Sequence, residues 1–228
     1  MNQITNVIKM YFKDKWSFFI IPWAILFFSF AINIIVGVLT GGKTAIYTGG
    51  ISTIYIYMLV TGMVVLVQSF PFALGMSVRR TDFFLGTATM FGILSAKIAI
   101  VLFLLSLVEQ WTGAWGVNLH FFYLPYLHDG SAIEQLLVSF ILVLNMCFLG
   151  FAITSVYRRF KATGMIVLFG VLTLIATVIA YFFTYYEWWM DIFHWFVSHS
   201  AFTLTMWTIP LIIVYMLGSY VMLRKATV

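Results

Sequence analysis

Six stretches of this sequence, Ser17–Leu39, Ile51–Leu74, Gly86–Val108, Glu134–Val156, Thr163–Phe183 and Leu204–Leu223, are almost free of charge and rich in aliphatic and aromatic residues. A helix needs about 20 mainly apolar residues to cross a hydrocarbon core of roughly 30 Å. Inside that core every backbone N–H and C=O must be satisfied within the chain, which makes separate apolar runs helical. Composition agrees: 63% of the 228 residues are hydrophobic and 8% are charged, where a soluble domain carries about 25% charged residues. Too few polar groups remain to cover a water-facing surface. The expected fold class is all-α, a polytopic membrane protein of six transmembrane helices in one domain over residues 1–228, with no soluble catalytic domain left over. The first stretch lacks a short apolar core followed by a small-residue cleavage site, so it reads as a retained span. Cys147 is the single cysteine and lies in an apolar stretch, so no internal disulfide forms.

Charge placement gives the spans a direction. Lys9, Lys13, Lys15, Arg79, Arg80, Arg158, Arg159, Lys161, Arg224 and Lys225 fall on one side, with Asp14 and Asp82. Glu109, Asp129, Glu134, Glu187 and Asp191 fall on the other, with Lys43. Ten basic residues against one put the first side and both termini in the cytoplasm by the positive-inside rule. An odd number of spans would scramble this sorting. Trp16 and Trp23, Trp111 and Trp115, and Trp188, Trp189 and Trp195 mark span boundaries, at the headgroup depth where an indole is buried and its N–H stays wet.

Two non-spanning segments are amphipathic. Within residues 1–16, Ile4, Val7, Ile8, Tyr11 and Phe12 recur at helical spacing while Asn6, Lys9 and Lys13 take the opposite face. A basic face beside an apolar stripe suits a helix in the inner interface, near anionic lipid; a disordered tail is the alternative. In residues 185–200, Trp188, Trp189, Ile192, Phe193 and Phe196 form one stripe, and Glu187, Asp191, His194 and Ser198 the other. This reads as a short outer helix before the last span.

The connection between the second and third spans runs Phe70-Pro71-Phe72-Ala73-Leu74-Gly75-Met76-Ser77-Val78-Arg79-Arg80-Thr81-Asp82-Phe83-Phe84-Leu85-Gly86. Pro71 removes a helical hydrogen bond and crowds the preceding turn, so it should kink or end the second span. Gly75 is expected to let the chain turn, and Thr81 to cap a short helix or the third span. Two arginines are thereby exposed among apolar residues, more than an ordinary positive-inside loop requires.

This connection resembles the corresponding loop of small bacterial permeases of the ABC-2 type, and the order of interfacial helix, six spans and outer segment is similar to theirs throughout. The resemblance implies that residues 75–85 form a coupling segment docking on a separate ATP-binding cassette subunit. Phe72, Gly75, Ser77, Arg79, Arg80, Asp82, Phe83 and Phe84 would then carry the contact, with Arg79, Arg80 and Asp82 as polar partners and Phe83 or Phe84 as the apolar anchor. It implies that the outer segment, with Glu187, Trp188, Trp189, Asp191 and His194, helps close the outer end of the pathway; a helix resting on lipid headgroups fits those residues equally. The expected protein is the permease subunit of an exporter in the bacterial cell membrane, carrying an amphipathic peptide, drug or lipid-like substrate. It pairs with a second permease subunit, as homodimer or heterodimer, and its remaining partner is lipid rather than nucleic acid. It is not itself an enzyme and holds no cofactor, ATP and magnesium belonging to the partner subunit.

Other chemistry is weaker. Gly37-Val38-Leu39-Thr40-Gly41-Gly42-Lys43-Thr44 fits the P-loop pattern, but that loop needs a strand before it and a helix after it. Here a span precedes it and the topology places it outside, so it reads as a chance match. Asp191, His194 and Ser198 share a helical face, yet polar residues on a solvated face are neither a converging ligand set nor a poised nucleophile. Lys97 falls mid-span, where an uncompensated charge is costly. Three readings stay open for it: a pathway residue, a structural salt bridge or carbonyl-bonded lysine, and a lysine snorkelling to the interface. Asn33, Gln68 and Asn145 are cheaper polar residues that line a pathway or bridge helices. A secondary transporter would show inverted repeats and broken spans, which the sequence does not; a membrane-embedded immunity or sensor protein without an ATPase partner could use the same six-span body.

Overall fold

The computed structural model describes residues 3–41, 44–128 and 130–224. The protein is all-α, and its described residues include five helices long and apolar enough to cross a membrane. An N-terminal helix, α1 (Gln3–Lys13), precedes α2 (Trp16–Leu39), α3 (Gly49–Gly75), α4 (Arg80–Trp111) and α5 (Ala132–Tyr185). A short α6 (Trp189–Ser198) leads into α7 (Ala201–Arg224). Two short strands, β1 (Ile46–Tyr47) and β2 (Leu119–His120), pair in parallel and join the loops after α2 and α4.

Helix α5 contains 54 residues, which would measure about 80 Å if straight. It is not straight. Lys161 adopts φ 55° and ψ −153°, a region that is essentially reserved for glycine. The chain beyond confirms a reversal there. The Tyr126 hydroxyl donates to the His199 carbonyl at 3.2 Å, and Ser200–Phe202 sit beside Glu134 and Gln135 at the start of α5. From Tyr185 the chain reaches only about 30 Å before His199, because most of that segment is helical. The second half of α5 must therefore run back toward its own beginning. The break leaves residues 132–160 and 162–185, each long enough to cover a hydrocarbon core.

Regular helix is interrupted in a consistent way. Pro22, Pro71 and Pro210 are each the second residue of a regular α-helical segment. Pro22 follows a π-turn at Trp16–Ile20 and Pro71 a π-turn at Val65–Ser69; Pro210 follows the break at Trp207 and Thr208. A proline lacks the N–H that continues the ladder, and a widened or broken turn before it removes both the unmet bond and the ring clash. Of the two outcomes expected for Pro71, a kink or an end, the helix does not end there: a π-turn precedes the proline and the helix continues to Gly75.

Helices α3, α4 and the first half of α5 form the core. Helices α3 and α5 cross with their backbones in close approach. A side chain at Gly62 would run into the Cys147 carbonyl, and one at Gly150 into the Leu59 carbonyl. Small residues let backbones approach this far, and in lipid such contact replaces a hydrophobic driving force. Phe91 of α4 packs edge-on against Phe148 and Phe151 of α5, at 5.4 and 5.8 Å. By contrast, no described residue from Val156 to Ser198 is buried.

Arg79, Arg80, Arg158 and Arg224 collect at one end of this bundle, through contacts between α4, α3, α5 and α7. Glu109 and Glu134 lie at the opposite end. The residues Gly42, Lys43, Asp129 and Lys225, which enter the P-loop match and the charge sorting, lie outside those described.

Candidate functional site

At the basic end, α3 finishes in a Schellman motif. The Val78 N–H bonds to the Ala73 carbonyl at 3.1 Å and the Ser77 N–H to the Leu74 carbonyl at 2.9 Å, satisfying carbonyls that a helix end otherwise leaves free. Ser77 takes the left-handed conformation this motif requires, with φ 60°. Gly75, expected to make the turn, stays helical; the reversal happens two residues later, on a serine. Ala73 and Val78 are buried beside each other across the motif, the apolar contact that usually accompanies it. Arg79 then extends at ψ 143° and α4 starts at Arg80 without a side-chain cap. Thr81, expected as a possible cap, lies inside the first turn of α4 instead.

Neighbouring helices hold the turn and the last part of α3. The Gln3 side-chain oxygen accepts from the Arg79 backbone N–H at 3.1 Å, tying it to the start of α1. Arg80 donates from Nη1 to the carbonyls of Leu223 and Arg224, at 3.2 and 3.1 Å. A cation on the last carbonyls of α7 meets both their unmet acceptors and the negative end of the helix dipole. Arg158 donates from Nη2 to the Val67 carbonyl at 3.1 Å, inside the π-turn, and its guanidinium lies 5.5 Å from the Phe70 ring centre.

Helix α1 packs on the adjoining part of α4. Val7 and Tyr11 are buried, and a side chain at Gly86 would strike Val7. The Tyr11 hydroxyl lies 2.8 Å from Thr87 Oγ1, and burial pushes its phenol above the usual range. Asn6, Lys9 and Lys13 are exposed, while Val7 and Tyr11 on the apolar side meet α4 rather than lipid.

Of the predicted coupling residues, Phe72, Gly75, Ser77 and Arg79 are exposed. Phe72 is 58% exposed and its neighbour Met76 54%. Asp82 is half-buried in the first turn of α4. Phe83 and Phe84, expected as an apolar anchor for a partner, are buried instead. Phe83 meets Phe70 at 5.2 Å, and Phe84 meets Tyr220 at 5.3 Å and Phe151 at 6.1 Å. Helical periodicity sends both into the bundle, and the exposed apolar groups of this connection include Phe72, Met76 and Leu85.

The polar residues within the spans are dispersed. Asn33 donates to the Ser29 carbonyl of its own helix at 2.8 Å. Gln68 is exposed in a groove with Asp14, Phe18 and Phe72, and Asn145 is half-buried two residues before Cys147. Lys97 is exposed, with Nζ 4.1 Å from the Phe19 ring centre. At the acidic end, Glu187 has φ 55°, and Trp188, Trp189, Asp191 and His194 are all exposed. Ser198 Oγ donates to the Trp195 carbonyl at 2.8 Å and lies 3.1 Å from His199 Nδ1, so Asp191, His194 and Ser198 are not joined by these bonds. Among the described residues no three His, Cys, Asp or Glu side chains gather to hold a metal.

Sequence reasoning missed Glu109, which it treated as one more outer charge. The residue is 1% exposed. Its carboxylate accepts from the backbone N–H groups of Phe121, Phe122 and Tyr123 at 3.2, 2.7 and 3.2 Å, and from Trp115 Nε1 at 3.1 Å. His120 Nδ1 lies 3.6 Å away. Phe30 of α2 completes the cluster, with its ring 4.9 to 5.3 Å from those of Trp115, Phe121 and Phe122. No local pattern announces this, because the three backbone donors come from a loop twelve or more residues downstream.

At the basic end, hydrogen bonds thus tie the turn to α1 and α7, and the last part of α3 to α5. No protein-family model, curated protein or solved structure matches this chain.

Proposed function

We propose that this chain is the membrane-spanning subunit of an ATP-binding cassette transporter of the ABC-2 type, working with a separate ATP-binding subunit and a second permease. The observation that carries the reading is the turn at residues 72–79. It presents Phe72, Met76, Ser77 and Arg79 outward while its roots are fixed to α1 through Gln3 and to α7 through Arg80. A force on such a turn reaches two other helices without passing through flexible chain. In this scheme Phe72 and Met76 seat in an apolar depression of the ATP-binding subunit and Arg79 meets an acidic rim. Arg80 is a positioning residue that transmits the movement to α7.

The same reading has the chain cross the membrane six times, with α5 supplying two crossings through the reversal at Lys161, and with the basic end and both termini in the cytoplasm. Support comes from the segregation of Arg and Lys to one end and from the length of both halves of α5. The segment Trp188–Ser198 then lies on the outer face, where it helps close the pathway. The cargo is an amphipathic peptide, drug or lipid-like molecule.

The test is co-purification with, and stimulation of, the ATP-binding protein expressed from the neighbouring reading frame. Replacing Phe72 by Asp together with Arg79 by Glu should abolish both. Arg80→Ala should leave binding intact and lower the stimulated rate. Full coupling in the Phe72/Arg79 double variant overturns the proposal.

A further inference from the structure

Lys97 lies seventeen residues into the 32-residue α4, where apolar neighbours on both sides make a bare ammonium costly. It has no carboxylate partner among the described residues, and neither does Lys15. Both nevertheless open into one groove of about 330 Å³, lined by Phe12, Lys15, Phe19, Ile20 and Lys97. The nearest acidic residue in sequence, Asp14, accepts from the Ser17 N–H at 3.3 Å and lines a different groove, with Gln68. The ring of Phe19, stacked on Phe12 at 5.7 Å, holds the Lys97 ammonium by its face; that contact orients the charge without neutralising it.

Direction matters here. A long side chain on a helix leans toward the helix N-terminus, so Lys97 leans toward the basic end and toward Lys15. On the other side of Lys97, Ile100 and Leu104 continue the same face of α4, each 53% exposed. Two cations lining the groove and an apolar stripe continuing from Lys97 along α4 match the two parts of a phospholipid. The cations take the phosphate, and the acyl chains run along Ile100 and Leu104.

We propose that Lys15 and Lys97 bind the phosphate of an anionic phospholipid in this groove, as a specific site rather than part of the general lipid annulus. The site does not depend on an ATP-binding partner, so it stands or falls apart from the transporter reading.

The experiment is native mass spectrometry of the purified full chain in detergent, titrated with phosphatidylglycerol or phosphatidylcholine of the same acyl chains. The wild-type chain should retain phosphatidylglycerol preferentially. Lys97→Leu and Lys15→Gln should each lower that preference about fivefold, the worth of one cation near an anionic headgroup, and Lys97→Arg should keep most of it. Equal thermal midpoints in phosphatidylcholine check that the variants are folded; Lys15 is exposed, so Lys15→Gln decides the matter if Lys97→Leu fails that check. Wild-type preference in the folded variants overturns the proposal. So does displacement of the lipid by inorganic phosphate, which would make the groove a free-anion site.

Discussion

Glu109 shows how much a single buried charge can organise. Four N–H groups converge on its carboxylate, and the loop from Trp115 to Tyr123 would otherwise have to find other partners for them. Glu109→Gln keeps the shape but turns an amide NH₂ toward those donors. The expected cost is about 2 to 3 kcal/mol, since buried N–H groups are left unmet and the remaining bonds lose their charge assistance. A lower thermal midpoint, with loss of Trp115 fluorescence shielding, is the readout. Ser77 illustrates the opposite sign. It holds a left-handed conformation, φ 60°, that a side chain resists and glycine does not. Ser77→Gly should raise stability by about 0.5 to 1 kcal/mol, measured as an upward midpoint shift without change in oligomeric state.

Among the elements, α5 carries the two most demanding features. Its first half touches α3 through Gly62 and Gly150, where any side chain meets a backbone carbonyl. Gly150→Val should separate the helices and cost about 3 kcal/mol. Gly92 of α4 has open space around it, so Gly92→Ala should be close to neutral and serves as the control. Lys161 joins the halves in a glycine-only conformation. Lys161→Gly relieves that strain, so the midpoint should rise by the equivalent of about 1 kcal/mol, and no change would mean that the reversal is made some other way.

Taken as a whole, the molecule is lopsided. Helices α3, α4 and the first half of α5 bury one another, while no described residue of the second half of α5 or of α6 is buried. Opposite ends are separated by chemistry as well as by distance, and this gives a topological prediction. In a background lacking Cys147, a cysteine at Ser77 should react with a membrane-impermeant maleimide only after the cells are opened. One at Ser200 should react in intact cells. Labelling of both from the same side excludes the six-crossing arrangement.

The sequence by itself determined the helical class and the presence of several apolar segments long enough to cross a membrane. These follow from local composition and from period, which each segment carries independently of the rest. The connection Phe70–Gly86 was legible as a turn of unusual composition for the same reason. Only the tertiary structure decided which of its residues face outward, because Phe83 and Phe84 are claimed by Phe70, Phe151 and Tyr220, all distant in sequence or in the preceding helix. It also decided that Lys97 shares a groove with Lys15 and that Glu109 is a buried hub. An isolated charge reads the same in a sequence whether it ends in water, over an aromatic ring or under a loop; its partners arrive from elsewhere in the chain, and only folding brings them within bonding distance.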